Sequence, residues 1–240
     1  MLKLTHKTLR EIVMGLFDRF KKKKEDFFSW TYTEEELDIL ENHINRHFGH
    51  YDSVFHEIYS PDIHLDVARI NPTPERNYYT FVTLGAGARR MNIPEGITVP
   101  RRAEYLITLP PDWDVENIND KNNYWPLGFL KTTARVPINC DTFLAYGHTL
   151  SGDAENSPFA DNTKLCSIAL AYPEQFEPDC LTVTFPNGDG IIFYQMIPIY
   201  ADELEFKRQC GEGMEEFEKY LGSILTSPLD INRPSCAPKK

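Results

Sequence analysis

RAEYLITLPPDW, residues 102–113, opens with a run whose alternation is poor: Ala103, Tyr105, Leu106, Ile107 and Leu109 leave both faces of an extended segment apolar. A strand that is apolar on both faces needs cover on both, so this one belongs in the middle of a sheet. Pro110-Pro111 ends it, because proline cannot donate to a ladder. Working downstream, WPLGFLKTTARVP (125–137) predicts a helix, with Pro126 in its first turn, where a missing N–H costs nothing. Leu127, Leu130 and Ala134 follow at helical intervals, and Trp125 should anchor the start.

Upstream, VFHEIY (54–59), IHLDVARI (63–70) and YYTFVTL (78–84) are short and rich in β-branched and aromatic residues, with turns at Ser60-Pro61 and Asn71-Pro72. They predict a meander. Before them, Thr33 and Glu36 form a capping box, and Leu37, Leu40, Ile44 and Phe48 fall on one stripe. A helix over 34–48, ended by Gly49, should pack on the sheet. Further strands are expected at 166–170, 181–185 and 191–200, the last two joined by Asn187-Gly188-Asp189-Gly190, whose residues accept positive φ. Asp202 should cap a helix through Phe206, and Met214, Phe217, Tyr220, Leu221 and Ile224 mark a second amphipathic segment. The expected fold is therefore α+β: a single domain with a mixed, mainly antiparallel sheet flanked by helices, over residues 27–226. Residues 1–26 form a basic segment expected to be flexible, and the Pro-containing residues 227–240 are expected to be a disordered tail.

Taken with PTPERNYYTFVTLGAGARRMNIP (72–94), TFLAYGHTL (142–150), FADNTKL (159–165) and IIFYQMIPIYADELEFK (191–207), the central blocks resemble the bacterial single-domain branch of the Suppressor of fused domain family, from about Val54 to Lys207. Arg76, Tyr78, Tyr79, Gly85, Arg102, Glu104, Trp125, Pro126, His148, Asn162 and Glu203 are among the family positions it carries, most of them fold determinants. The resemblance implies a binder rather than an enzyme. The animal protein captures transcription factors by adding a partner peptide as a strand, and bacterial relatives are associated with toxin systems as immunity proteins.

Charge points the same way. The chain carries a net −11, yet residues 1–24 hold eight Lys or Arg against Glu11 and Asp18, which leaves the remainder at −17. An acidic body repels phosphate backbones and suits a basic protein or peptide, so nucleic acid is not an expected partner. Cys140, Cys166, Cys180, Cys210 and Cys236 stand far apart and are odd in number, which fits neither a zinc knot nor a disulfide framework. No apolar run has spanning length and no signal-peptide core is visible, so a cytoplasmic location without membrane insertion is expected. Met14 is an alternative start to Met1. Around it, Leu9, Ile12, Val13, Leu16, Phe17 and Phe20 have helical spacing beside basic residues. Both a membrane-surface helix and a solvated tail fit that pattern, and a solvated tail is expected.

Three constellations could carry chemistry. His43 and His47 share a helix face, but Ile44 stands where a zinc protease needs Glu. His56, Glu57, His64, Asp66 and His148 would form an imidazole–carboxylate cluster if their segments adjoined, and a His56/His64/Asp66/His148 hydrolase is the alternative function. The simpler arrangement pairs His64 with Asp66 on one strand face and has His148 turn the chain after Gly147. Gly85 and Gly87 before Arg89-Arg90 have the look of a phosphate-binding loop, but no Lys-Ser or Lys-Thr opens a helix there, so they are read as releasing the strand into a loop. No cofactor, no metal and no catalytic residue is expected. The function expected is a non-catalytic protein-binding module, an immunity protein in its sharper form, with Asp66, Tyr79 and His148 at the partner interface.

Overall fold

The computed structural model describes residues 30–56, 62–210 and 213–239. The basic segment, the alternative start and Glu57 lie outside the described residues. Helix α1 (Glu34–His47) starts at the expected capping box, with the Thr33 hydroxyl accepting from the Glu36 N–H and the Glu36 carboxylate accepting from the Thr33 N–H. Strands β1 (Ser53–Phe55), β2 (Asp66–Ile70), β3 (Tyr79–Leu84) and β4 (Ala103–Leu109) form an antiparallel meander. β2 is shorter than the apolar pattern suggested, and residues 57–59 of the expected first strand lie outside the described residues. Ile63 and Leu65 are buried but precede the ladder, so burial there extends beyond strand pairing.

After helix α2 (Lys121–Asn139) come β5 (Thr149–Ser151), β6 (Ser167–Ala171), β7 (Thr182–Thr184) and β8 (Gly190–Ile199), then helices α3 (Ala201–Gln209) and α4 (Met214–Leu221). The sheet order is β1-β2-β3-β4-β8-β6-β5, with β7 also on β8. β4 pairs with β8 in parallel, joining Ala103–Leu106 to Ile192–Gln195, and every residue of β4 is buried. The central place expected from its two apolar faces is the place it holds.

Parity explains the layers. Ala103, Tyr105, Ile107 and Leu109 of β4, with Ile192, Tyr194 and Met196 of β8, face α2 through Trp125, Leu127, Leu130 and Ala134. Leu106, Ile191 and Phe193 meet Leu40, Ile44 and Phe48 of α1 on the other side. Further along that side, Ile197 and Ile199 carry Leu204, Phe217 and Leu221 of α3 and α4. Each large apolar side chain so buried contributes about 1.5–3 kcal/mol.

Three local readings need correction. Helix α2 begins at Lys121 behind the Asp120 side chain, not at Pro126, which sits a turn and a half inside. The Asn122 carbonyl, which an N–H at position 126 would otherwise take, instead accepts the side-chain amide of Asn162 at 3.2 Å. Helix α3 starts one residue before Asp202, with the Glu203 carboxylate accepting from the Tyr200 N–H at 2.8 Å. Finally, the tail expected to be disordered is packed: Leu229 is 8% exposed, and its N–H donates to the Thr108 carbonyl at 2.9 Å, on the β4 segment lying past the last β8 pair. Proline count alone gave the wrong answer, because the tail closes backbone groups that the diverging β4 and β8 leave open.

Candidate functional site

The imidazole–carboxylate cluster is half assembled. Asp66 opens β2, and its Oδ2 receives His56 Nδ1 at 2.9 Å and His64 Nε2 at 3.3 Å, both rings being largely exposed. His148 is elsewhere. It precedes β5 at the opposite margin, five strand steps from β2, or about 24 Å at normal strand spacing. The convergence that a His56/His64/Asp66/His148 hydrolase requires is therefore absent, and among the described residues no group of three or more His, Cys, Asp and Glu could hold a metal ion. The His148 ring packs on Phe143 at 5.0 Å; burial pushes its pKa down and Lys207 pushes the same way. Tyr79 stands at the start of β3 opposite Leu109, its ring 6.2 Å from Phe81. Asp66 pairs with Leu84 at the far end of the same strand. The three interface expectations thus occupy three separate places, not one patch.

The glycine loop does hold an anion, and the anion is internal. Beyond β3, Gly85 has φ +125°, and Ala86–Ala88 make one 3₁₀ turn, so successive N–H groups point inward. Glu104 of β4, fully buried, fills the nest: it accepts from the N–H groups of Gly85, Ala86 and Gly87 at 3.0, 3.3 and 3.0 Å, from the Thr83 hydroxyl at 2.5 Å, and from the Tyr32 hydroxyl. Burial pushes the Glu104 carboxyl up, opposed by those hydrogen bonds, and burial with Glu104 beside it pushes the Tyr32 phenol well up. Two residues back, Arg102 donates to the Gly87 carbonyl at 2.6 Å and to Glu36 and Asp189 at 2.5 and 3.1 Å. Its guanidinium lies 5.2 Å from the Tyr32 ring and 4.9 Å from that of Phe185. Charged residues at 102 and 104 in an otherwise apolar strand were the sequence signal for this centre. Nothing in the sequence showed where their partners would come from.

A second buried ion pair fixes the C-terminal segment. Glu203 of α3 is fully buried, and Arg233 grips it with both terminal nitrogens, at 2.5 and 2.7 Å. The same guanidinium donates to the Pro198 carbonyl at 2.9 Å, and the Cys236 N–H donates to Glu203 at 2.8 Å. These are fold-holding arrangements, and Arg76 is another: it donates to the carbonyls of His47 and Phe48 at the end of α1. His43, for its part, lies on the Phe193 ring at 5.0 Å with its Nε2 3.0 Å from the Cys180 carbonyl.

The buried carboxylates of Glu104 and Glu203, with the Arg76 and Asn162 closures, put the family positions in structural roles, and the family's sequence profile, Suppressor of fused protein (SUFU), matches residues 61–234. The chain belongs to the Suppressor of fused family. That match runs through Arg233 and so includes the clasp. Among curated proteins the Suppressor of fused chain is 26% identical over 211 residues to the uncharacterized protein UU111 of Ureaplasma parvum serovar 3, covering 86% of this chain and 98% of that one. Solved structures share its fold. A Suppressor of fused homologue from Neisseria gonorrhoeae FA 1090 superposes with a TM-score of 0.58 at 18% identity, covering 85% of this chain and 98% of that chain. The Sufu–Fu complex gives 0.59 at 14% identity, over 83% and 91%. Drosophila Suppressor of Fused gives 0.51 at 13%, and there this chain covers 85% of itself but 50% of the fly chain. No helix among the described residues is long and apolar enough to cross a membrane.

Proposed function

We propose that this Suppressor of fused domain is a non-catalytic, cytoplasmic protein-binding module that captures a basic protein or peptide at a margin of its sheet, and that the partner is a toxin which it neutralises. The observation that carries the reading is the sheet itself, which ends in two three-residue strands, β1 and β5, each paired on one side only among the described residues, in the order β1-β2-β3-β4-β8-β6-β5. Such edges accept an added strand through main-chain hydrogen bonds. The Sufu–Fu complex supports it, since a relative of the same fold is there bound to a protein. So does the acidic body, because opposite charge speeds the capture of a basic partner.

The test is affinity capture from the native host, followed by binding kinetics across a salt series. Electrostatic capture predicts an association rate that falls steeply with salt while dissociation changes less. Alanine at Asp66, at Tyr79 and at His148 then reports which region is used, the first two lying on the β1 half of the sheet and the third beside β5. Small-molecule turnover by purified protein, with no captured partner, would overturn the reading.

A further inference from the structure

A cavity lies where β4 and β8 part, and nothing in the protein-binding reading uses it. Beyond their last pair, Leu106 and Gln195, the two strands diverge around a space of about 160 Å³. Its floor is buried sheet, with Ile107, Met196 and Ile197 as apolar walls. Its rim is the segment 223–230, where Ser223, Ser227 and Asp230 are exposed.

Gln195 lines this cavity at 1% exposure, set in the otherwise apolar and aromatic strand GIIFYQMIPI. Its Nε2 donates to the Leu225 carbonyl at 3.5 Å, and because a carbonyl can only accept, this contact fixes which end of the amide is the oxygen. That oxygen, Oε1, has no hydrogen-bond partner among the described residues. The tether is long and the terminal torsion of a glutamine is broad, so a small turn brings Oε1 to the cavity without breaking a strong bond. Thr108 lies two residues past Leu106, the register partner of Gln195, so the two side chains stand on the same face of the sheet. The backbone acceptors of the floor are engaged: the Thr108 carbonyl takes the Leu229 N–H at 2.9 Å, and the Pro198 carbonyl takes Arg233 at 2.9 Å.

Size and chemistry then select the occupant. About 150 Å³ is the space that takes one benzene ring. Filling it with water would need about five molecules, each seeking about three hydrogen bonds, against the few polar groups of this floor. A buried acceptor left without a donor is costly, and a ring carrying one hydroxyl removes that cost while its carbons meet Ile107, Met196 and Ile197. We infer that the gap between β4 and β8 is a binding site for a small free phenol, its O–H donating to Gln195 Oε1. This function stands apart from protein binding, and neither reading depends on the other.

The test titrates the full ¹⁵N-labelled chain with phenol and with toluene, which has the same shape and no donor. Phenol should saturate, moving the Gln195 side-chain amide and the backbone amides of 107–108, 195–197 and 223–230. Toluene should bind roughly five- to tenfold more weakly, the worth of one hydrogen bond. Gln195→Met keeps the length and removes the acceptor, so the two ligands should bind it alike. Should that variant not fold, the phenol-to-toluene ratio in the parent still decides. N-acetyltyrosine amide carries the same ring on a backbone and distinguishes a free phenol from a partner's tyrosine; the volume leaves no room for that backbone, and it should not bind. Absence of saturable phenol binding, which is what a water-filled cavity gives, would overturn the site. So would shifts centred elsewhere, equal affinity for toluene in the parent, a phenol preference that survives Gln195→Met, or N-acetyltyrosine amide binding as tightly as phenol.

Discussion

Glu104 turns a loop shaped for an outside anion into one that is already satisfied. Five donors from Tyr32, Thr83 and the 85–87 backbone converge on it, so Glu104→Gln would set amide hydrogens against N–H groups and leave donors unpaired. A loss of about 3 kcal/mol is expected, read as a lower urea midpoint at unchanged slope. Gly85→Ala should cost at least as much. A Cβ there would stand 2.0 Å from the His64 carbonyl oxygen, at a φ of +125° that side-chain-bearing residues rarely adopt. In the sequence the glycines were read as releasing the strand into a loop rather than as holding an anion; the loop does hold one, and the anion is the chain's own. Spacing along a strand shows which side chains share a face, but not which distant backbone amides will surround one of them.

At the scale of elements, the C-terminal segment behaves as part of the fold. Removing residues 227–240 should lower the melting temperature clearly, and Arg233→Ala should cost about 3–5 kcal/mol at pH 7, because it strands a buried Glu203 carboxylate. The pH dependence follows from sign. Burial pushes Glu203 up, but the Arg233 guanidinium more than reverses this and holds its carboxyl below the ordinary value of 4.5. A depressed carboxylate contributes stability that is present above the unfolded value and is lost as pH falls through the folded one. The difference in stability between the parent and Arg233→Ala should therefore shrink as pH drops below 4.5. Comparing the two proteins cancels Glu104, whose raised carboxyl acts in the opposite direction. The sequence showed the helices, the β7–β8 turn and the centrality of β4, all written in local periodicity and turn chemistry. It hid the tail, because proline content reports what a segment cannot do locally and says nothing about the open groove that receives it. The early start of α2 was hidden for the same reason: Asn162, forty residues away, satisfies the carbonyl that Pro126 leaves free.

For the whole molecule, three apolar clusters lie on the two faces of one continuous sheet, so residues 30–239 should unfold in a single calorimetric transition. Deleting residues 1–26 should leave that transition nearly unmoved, and vesicle binding should be absent with or without them. Strong binding of the intact chain to anionic vesicles would contradict the tail reading.

The parallel join of β4 to β8 also sets a timetable for biosynthesis. Leu106 and Gln195 are register partners, and a ribosome adding about 5–20 residues per second needs roughly 5 to 20 seconds to travel from one to the other. Throughout that interval the nascent β1–β4 meander has an open rim where β8 will later lie, along a strand that is buried at every residue in the finished fold. This is a long exposure for a template that any neighbouring nascent chain could pair with. Chaperone demand should accordingly peak before residue 190 is made, and messages truncated within the β5–β7 region should yield inclusion bodies rather than a smaller working protein.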